Sequence, residues 1–203
     1  MQILGASTPL VPAIISSFFG GSARSASRII PYLLLAVIGC ILLTISAKIQ
    51  IPFYPVPMTM QTLVVLLIGM SYGPNLAVFT LSLYLFQGAL GIPVFASGAG
   101  VAYLVGPTGG FLAGFVISAY VLGCLASRGW GKTWQNTALA MLIGISIIFL
   151  AGISWLSQFI GLQAAIINGF LPFIYADFLK LLLATLVMPT AWLAANRMLN
   201  NLN

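Results

Sequence analysis

The sequence predicts an all-α integral membrane protein, a bundle of six transmembrane helices with a re-entrant or lid-like first outer loop. Two observations carry this. Apolar residues fill 61% of the 203 positions and charged residues 4%, with a mean hydropathy of +1.15. So few charges cannot dress a water-soluble globule, in which about a quarter of the residues are charged. Uncharged runs approaching the ~20 residues that a bilayer core requires also recur along the chain, separated by Pro, Gly or basic residues.

The first run, residues 29–47, lies between Arg28 and Lys48. The second, 59–72, follows a proline cluster and stops at Gly73 and Pro74, and the third, 75–90, ends at Gly91 and Pro93. Both are short, so flanking residues are expected to complete them. Residues 107–127 stop at Arg128, 137–159 are nearly all apolar, and 172–196 stop at Arg197. No polar or Pro/Ser-rich linker divides the chain. Residues 29–203 therefore read as one membrane domain, preceded by an N-terminal extension over residues 1–28. Its apolar stretch from Leu10 to Phe19 is too short to span and lacks the charged n-region of a secretory signal, so it reads as interfacial.

Charge sets the orientation, because Lys and Arg in short loops are retained on the cytoplasmic side. With the N-terminus inside, Arg24, Arg28, Arg128, Lys132 and Arg197 are cytoplasmic, Lys48 alone is outside and Lys180 lies within a span. The expected protein is multi-pass in the plasma membrane with both termini cytoplasmic. The net charge of +6 does not imply nucleic acid, since the basic residues are scattered singly. Cys40 and Cys124 have no CxxC spacing and no histidine to join them, so they read as packing residues and no metal or cofactor is expected.

Polar residues that survive inside the spans carry the functional reading. The chain has one acidic residue, Asp177, three positions before Lys180, a spacing that puts both on one helix face. A lone charge near the bilayer centre costs about 2.5–3.5 kcal/mol on insertion scales, so such residues mark a pathway or a ligand. A structural ion pair is the alternative. Asp177 lies near the outer start of the sixth helix, on the side of residues 48–57, 91–106 and 161–169. Together these describe a polar pocket opening outward beneath loops.

Pro52, Pro55 and Pro57 surround Phe53 and Tyr54, so this stretch is expected to be a stiff lid or re-entrant loop carrying aromatic rings, or a plain interfacial loop anchored by them. The segment after Gly91 supplies Gly98, Gly100 and Tyr103 but no phosphate-binding P-loop. Gln61 and Gln87, near the outer ends of the second and third helices, serve either structure or ligand. Gly106, Gly110, Gly114 and Ser118 form a small-residue stripe that permits close helix approach, and Ala36, Gly39 and Cys40 form a second patch. One carboxylate and no histidine exclude a Ser-His-Asp triad, a metalloprotease and an aspartyl intramembrane protease, and no Walker A loop is present.

Four segments, KIQIPFYPVPMTMQTLVVLLIG (48–69), LYLFQGALGIPVFASGAG (83–100), YLVGPTGGFLAGF (103–115) and ADFLK (176–180), resemble in order the BioY family. These are the biotin-specific substrate-binding (S) components of energy-coupling factor vitamin importers. The family usually has Gly where Ala176 stands, and the extension has no counterpart in the family core. The resemblance implies a six-helix S component that captures biotin from outside and works within membrane lipid with a transmembrane coupling subunit and two ATPase subunits. It implies that Asp177 and Lys180 are the polar site residues. Asp177 would accept the ureido N–H groups and Lys180 would complete the polar cluster, with Gln87 as a further polar contact and Phe53, Tyr54 and Tyr103 as apolar walls and lid. The competing readings are a self-sufficient ion-coupled carrier, in which Asp177 binds the coupling ion, and a scaffold with no ligand.

Overall fold

Helix punctuation along this chain comes from Gly and Pro. The computed structural model describes residues 9–19 and 25–200; the rest of the predicted N-terminal extension, Arg24 included, lies outside them. In order come α1 (Leu10–Phe19), α2 (Ser25–Lys48), β1 (Gln50–Ile51), β2 (Met58–Thr59), α3 (Gln61–Tyr72) and α4 (Pro74–Ala89). They are followed by α5 (Val101–Leu104), α6 (Gly109–Ala126), a 3-10 turn (Trp130–Lys132), α7 (Trp134–Ile160), α8 (Leu162–Gly169) and α9 (Phe173–Asn200).

Four stretches are long and apolar enough to cross a bilayer: Ile29–Lys48, Gly109–Ala126, Trp134–Ile160 and Phe173–Met198. The other two predicted spans, α3 and α4, have 12 and 16 residues. At ~1.5 Å per residue they rise about 18 and 24 Å, short of a hydrocarbon core of about 30 Å. Gly73 separates them with φ +80°, a conformation that ends a helix, and Pro74 then supplies the pre-set φ of a helix start.

The small-residue stripe is the seam between α6 and α7. A side chain at Gly110 would overlap Trp155, one at Gly114 would stand 3.0 Å from the Ile148 backbone, and one at Gly144 would stand 3.0 Å from the Ser118 hydroxyl. The backbones approach this closely only because those positions are small. On the opposite flank Gly69 of α3 meets Leu122, and Gly123 receives the Gly73–Pro74 turn. The patch on α2 is likewise internal: Ala36 and Cys40 are buried, and a side chain at Gly39 would press on Thr80 of α4.

The proline-rich segment after α2 is not helical. Gln50 pairs with Thr59 and Ile51 with Met58 in a minimal antiparallel ladder, which amends the all-α expectation by one small hairpin. Pro52, Pro55 and Pro57 have no N–H to donate, so they lie in the connection and the ladder stops at two pairs. Helix α1 buries Leu10 and Ala13 against the bundle, with Pro9 close to Gly73. Within the described residues, the stretch expected to lie at the interface forms a helix seated on the bundle, at the end far from the hairpin.

Candidate functional site

Residues of the hairpin, α3, α5, α6, α7 and α9, with Ala96 of the loop after α4, line a cavity. Its volume is about 50 Å³, well below the ~300–1,000 Å³ of small-molecule pockets, so a ligand of that size enters only if the walls move apart. One wall is aromatic: Phe111 and Phe115 of α6, Phe149 of α7 and Phe173 of α9. Phe149 makes edge contacts with Phe111 and Phe173 at centroid distances of 6.4 and 6.3 Å. Polar groups line the cavity as well, Thr59, Gln61, Thr62, Thr108 and Asp177, the last one helical turn from Phe173. Tyr103 and Ala96 close it from the loop after α4.

Asp177 and Lys180 are each 4% exposed. The Lys180 ammonium donates to Asp177 Oδ1 at 2.5 Å, to the Thr59 carbonyl at 2.7 Å and, at longer range, to Thr62 Oγ1 at 3.4 Å. An ammonium has three N–H donors, so these acceptors occupy all of them. Lys180 itself does not line the cavity, whereas Asp177 does. The pair therefore presents to the cavity a carboxyl group that is buried and fixed in place by its ammonium partner. It also ties α9 to β2, because the Thr59 carbonyl belongs to that strand.

Gln61 is oriented in a similar way. Its Nε2 donates to the Tyr84 hydroxyl at 2.8 Å, and that hydroxyl donates to the Val94 carbonyl at 2.9 Å. The Gln61 amide oxygen accepts from the Thr59 hydroxyl at 3.4 Å, which leaves a second N–H and one oxygen lone pair for the cavity.

The other expected site residues fall into two groups. Tyr103 lines the cavity, stacked on Phe95 at 4.9 Å. Phe53, 43% exposed, touches Phe173 from outside at 6.4 Å. Tyr54 is 90% exposed at the hairpin tip, and neither it nor Gln87 lines the cavity. The phenylalanine wall and the three threonines were not anticipated. Phe111 and Phe115 are four positions apart, a spacing that places two rings on one helix face, but nothing local distinguishes rings facing a cavity from rings facing lipid.

Bundle and cavity together describe a multi-pass membrane protein with a part-aromatic, part-polar cavity among its helices. The chain belongs to the BioY family, whose model matches residues 21–197. It is 39% identical over 147 residues to a Pyrococcus horikoshii protein named "Probable biotin transporter BioY", covering 72% of this chain and 86% of that one. It is 37% identical over 148 residues to the biotin transporter BioY of Thermotoga maritima, with the same coverage of 72% and 86%. Its fold matches a crystal structure of the S-component for biotin from an ECF-type ABC transporter, with a TM-score of 0.69 at 23% identity over 83% of this chain and 94% of that one.

Proposed function

We propose that this chain is the biotin-capturing S component of an energy-coupling factor importer in the plasma membrane. It crosses the membrane six times, with both termini cytoplasmic and the cavity facing out. The observation that carries this is Asp177, a carboxylate held by Lys180 at the wall of a cavity whose apolar lining is led by four phenylalanines. Biotin matches such walls: its ureido N–H groups donate to a carboxylate, its fused rings lie against phenylalanines, and its valerate chain extends toward the mouth. Asp177 is the ureido acceptor and Lys180 its positioning residue, since the ammonium is already saturated by protein acceptors. Tyr103 covers the rings. The names of the matched relatives support transport rather than catalysis. The lack of any ATP-binding motif in this chain supports a division of labour, in which a coupling subunit and ATPase subunits do the work.

An ion-coupled carrier fits less well, because the one carboxylate is already neutralised by Lys180. A comparison of ligands tests the reading without altering the protein. Lipoate shares the pentanoate chain and a sulfur ring with biotin but has no ureido group. Calorimetry is expected to show biotin binding at least about 100-fold tighter than lipoate, because a site built for hydrogen bonds rejects an analogue lacking them. Equal affinities would overturn the assignment of Asp177.

A further inference from the structure

Three consecutive carbonyls of the loop after α4 are each held by a side chain from a different element. Tyr84 of α4 holds Val94 at 2.9 Å, Lys48 at the end of α2 holds Phe95 at 2.6 Å, and Gln50 of β1 holds Ala96 at 3.1 Å. We propose that Lys48, aided by Gln50, is the releasable latch of this loop, a positioning residue that sets how fast the cavity opens without itself touching the ligand.

Topology gives Lys48 a reason to be noticed. It is the one cation at a loop on the outer side in the proposed orientation, against the retention of positive residues inside. A helix C-terminus favours a cation, but that attraction is satisfied by an ammonium free in water. Here the ammonium instead reaches a carbonyl 47 positions along the chain.

What it grips is a wall of the cavity. Phe95 is 1% exposed, stacks on Tyr103 and meets Tyr84 edge-on at 5.5 Å; Tyr103 and Ala96 line the cavity. The three holds differ in how readily they let go. Tyr84 is wholly buried and locked by Gln61. Gln50 leaves its own amide oxygen buried with no partner among the described residues, a cost that opening would relieve. Lys48 is exposed, so its charged head can pass from carbonyl to water. Gly91 and Gly100, with φ of +92° and +87°, flank the segment where the backbone can swing.

Hydrogen exchange followed by mass spectrometry on the ligand-free chain in nanodiscs tests the latch directly. Lys48→Met is expected to speed exchange of amides in residues 92–103 about tenfold, the low end for losing one hydrogen bond to a charged group. α3 and α6 should remain unchanged, and Lys48→Arg should restore protection. Unchanged exchange, or acceleration spread evenly over the chain, would overturn the proposal. The rate claim rests on the biotin reading. In a chase with labelled biotin, association and dissociation should both rise about tenfold in Lys48→Met, so that Kd moves less than either rate; a loosened loop with unaltered rates would overturn the gating role. If the unaltered chain retains no biotin, the site reading fails, while the exchange result still decides the latch.

Discussion

Asp177 and Lys180 show how one residue's work depends on another's bonds. Substituting Asp177→Asn keeps the shape and removes the charge, and biotin affinity is expected to fall about 10- to 100-fold, the worth of hydrogen bonds to a charged acceptor; Gln87→Ala should change it less than threefold. Calorimetry on both variants, with melting curves to show that each is folded, checks this. Lys180→Met has a different signature. It leaves a buried carboxylate unpaired and frees the Thr59 carbonyl, so about 3–5 kcal/mol of stability should be lost, read as a lowered melting temperature before any effect on ligand. The pair itself was legible from sequence, because two charges in an apolar helix advertise themselves. That Lys180 is consumed by protein acceptors was not, because one of them is a backbone carbonyl 121 positions away and carries no side-chain signature. Phe53 and Tyr54 stand outside the cavity lining for a related reason. Proline neighbours predict a stiff segment but not which face of it turns inward, and the hairpin buries Val56 and Met58 instead.

At the scale of elements, glycines decide which surfaces meet. Gly88 of α4 lies beneath the Phe95 ring, where any side chain would overlap it. Gly88→Ala is therefore expected to displace Phe95 and its stacked partner Tyr103, weakening biotin binding about tenfold while the melting temperature moves by only a few degrees. Equilibrium dialysis beside a thermal melt separates the two effects. Gly110→Leu acts elsewhere: it would drive α6 from Trp155 along the tightest seam of the bundle, and overpacking of this kind costs about 1–3 kcal/mol or more, seen as poor yield and a lowered melt. The four full-length helices were readable because apolar length alone defines them. The short pair α3 and α4 was located by Gly73 and Pro74, yet their joint seat against Gly123 depends on a contact some 50 positions away that no local pattern encodes. The two-pair ladder of the hairpin was hidden because three prolines mask an extended segment as a loop.

For the whole molecule, orientation is the property that links fold to uptake. Tyr54→Cys, in a chain whose two native cysteines are replaced by alanine, should react with a membrane-impermeant maleimide on intact cells. Gln135→Cys, exposed in the first turn of α7, should react only after permeabilisation. The reverse pattern would invert the topology and direct the cavity to the cytoplasm. The proposed orientation rests on charge counting, whereas the seating of α1 against the far end of the bundle was not legible, since a ten-residue apolar stretch gives no hint of its partner. The close pairing of the carboxylate and ammonium on α9 has an electrical consequence. A single charge carried through the bilayer exchanges about 2.3 kcal/mol with every 100 mV of membrane voltage, but two opposite charges 2.5 Å apart move as one neutral object. In any tilt of the bundle that carries the empty pocket from one face to the other, this pair therefore adds nothing, to first order, to the work done by the cell's voltage, which acts instead on the basic residues at the helix ends, Lys48 among them.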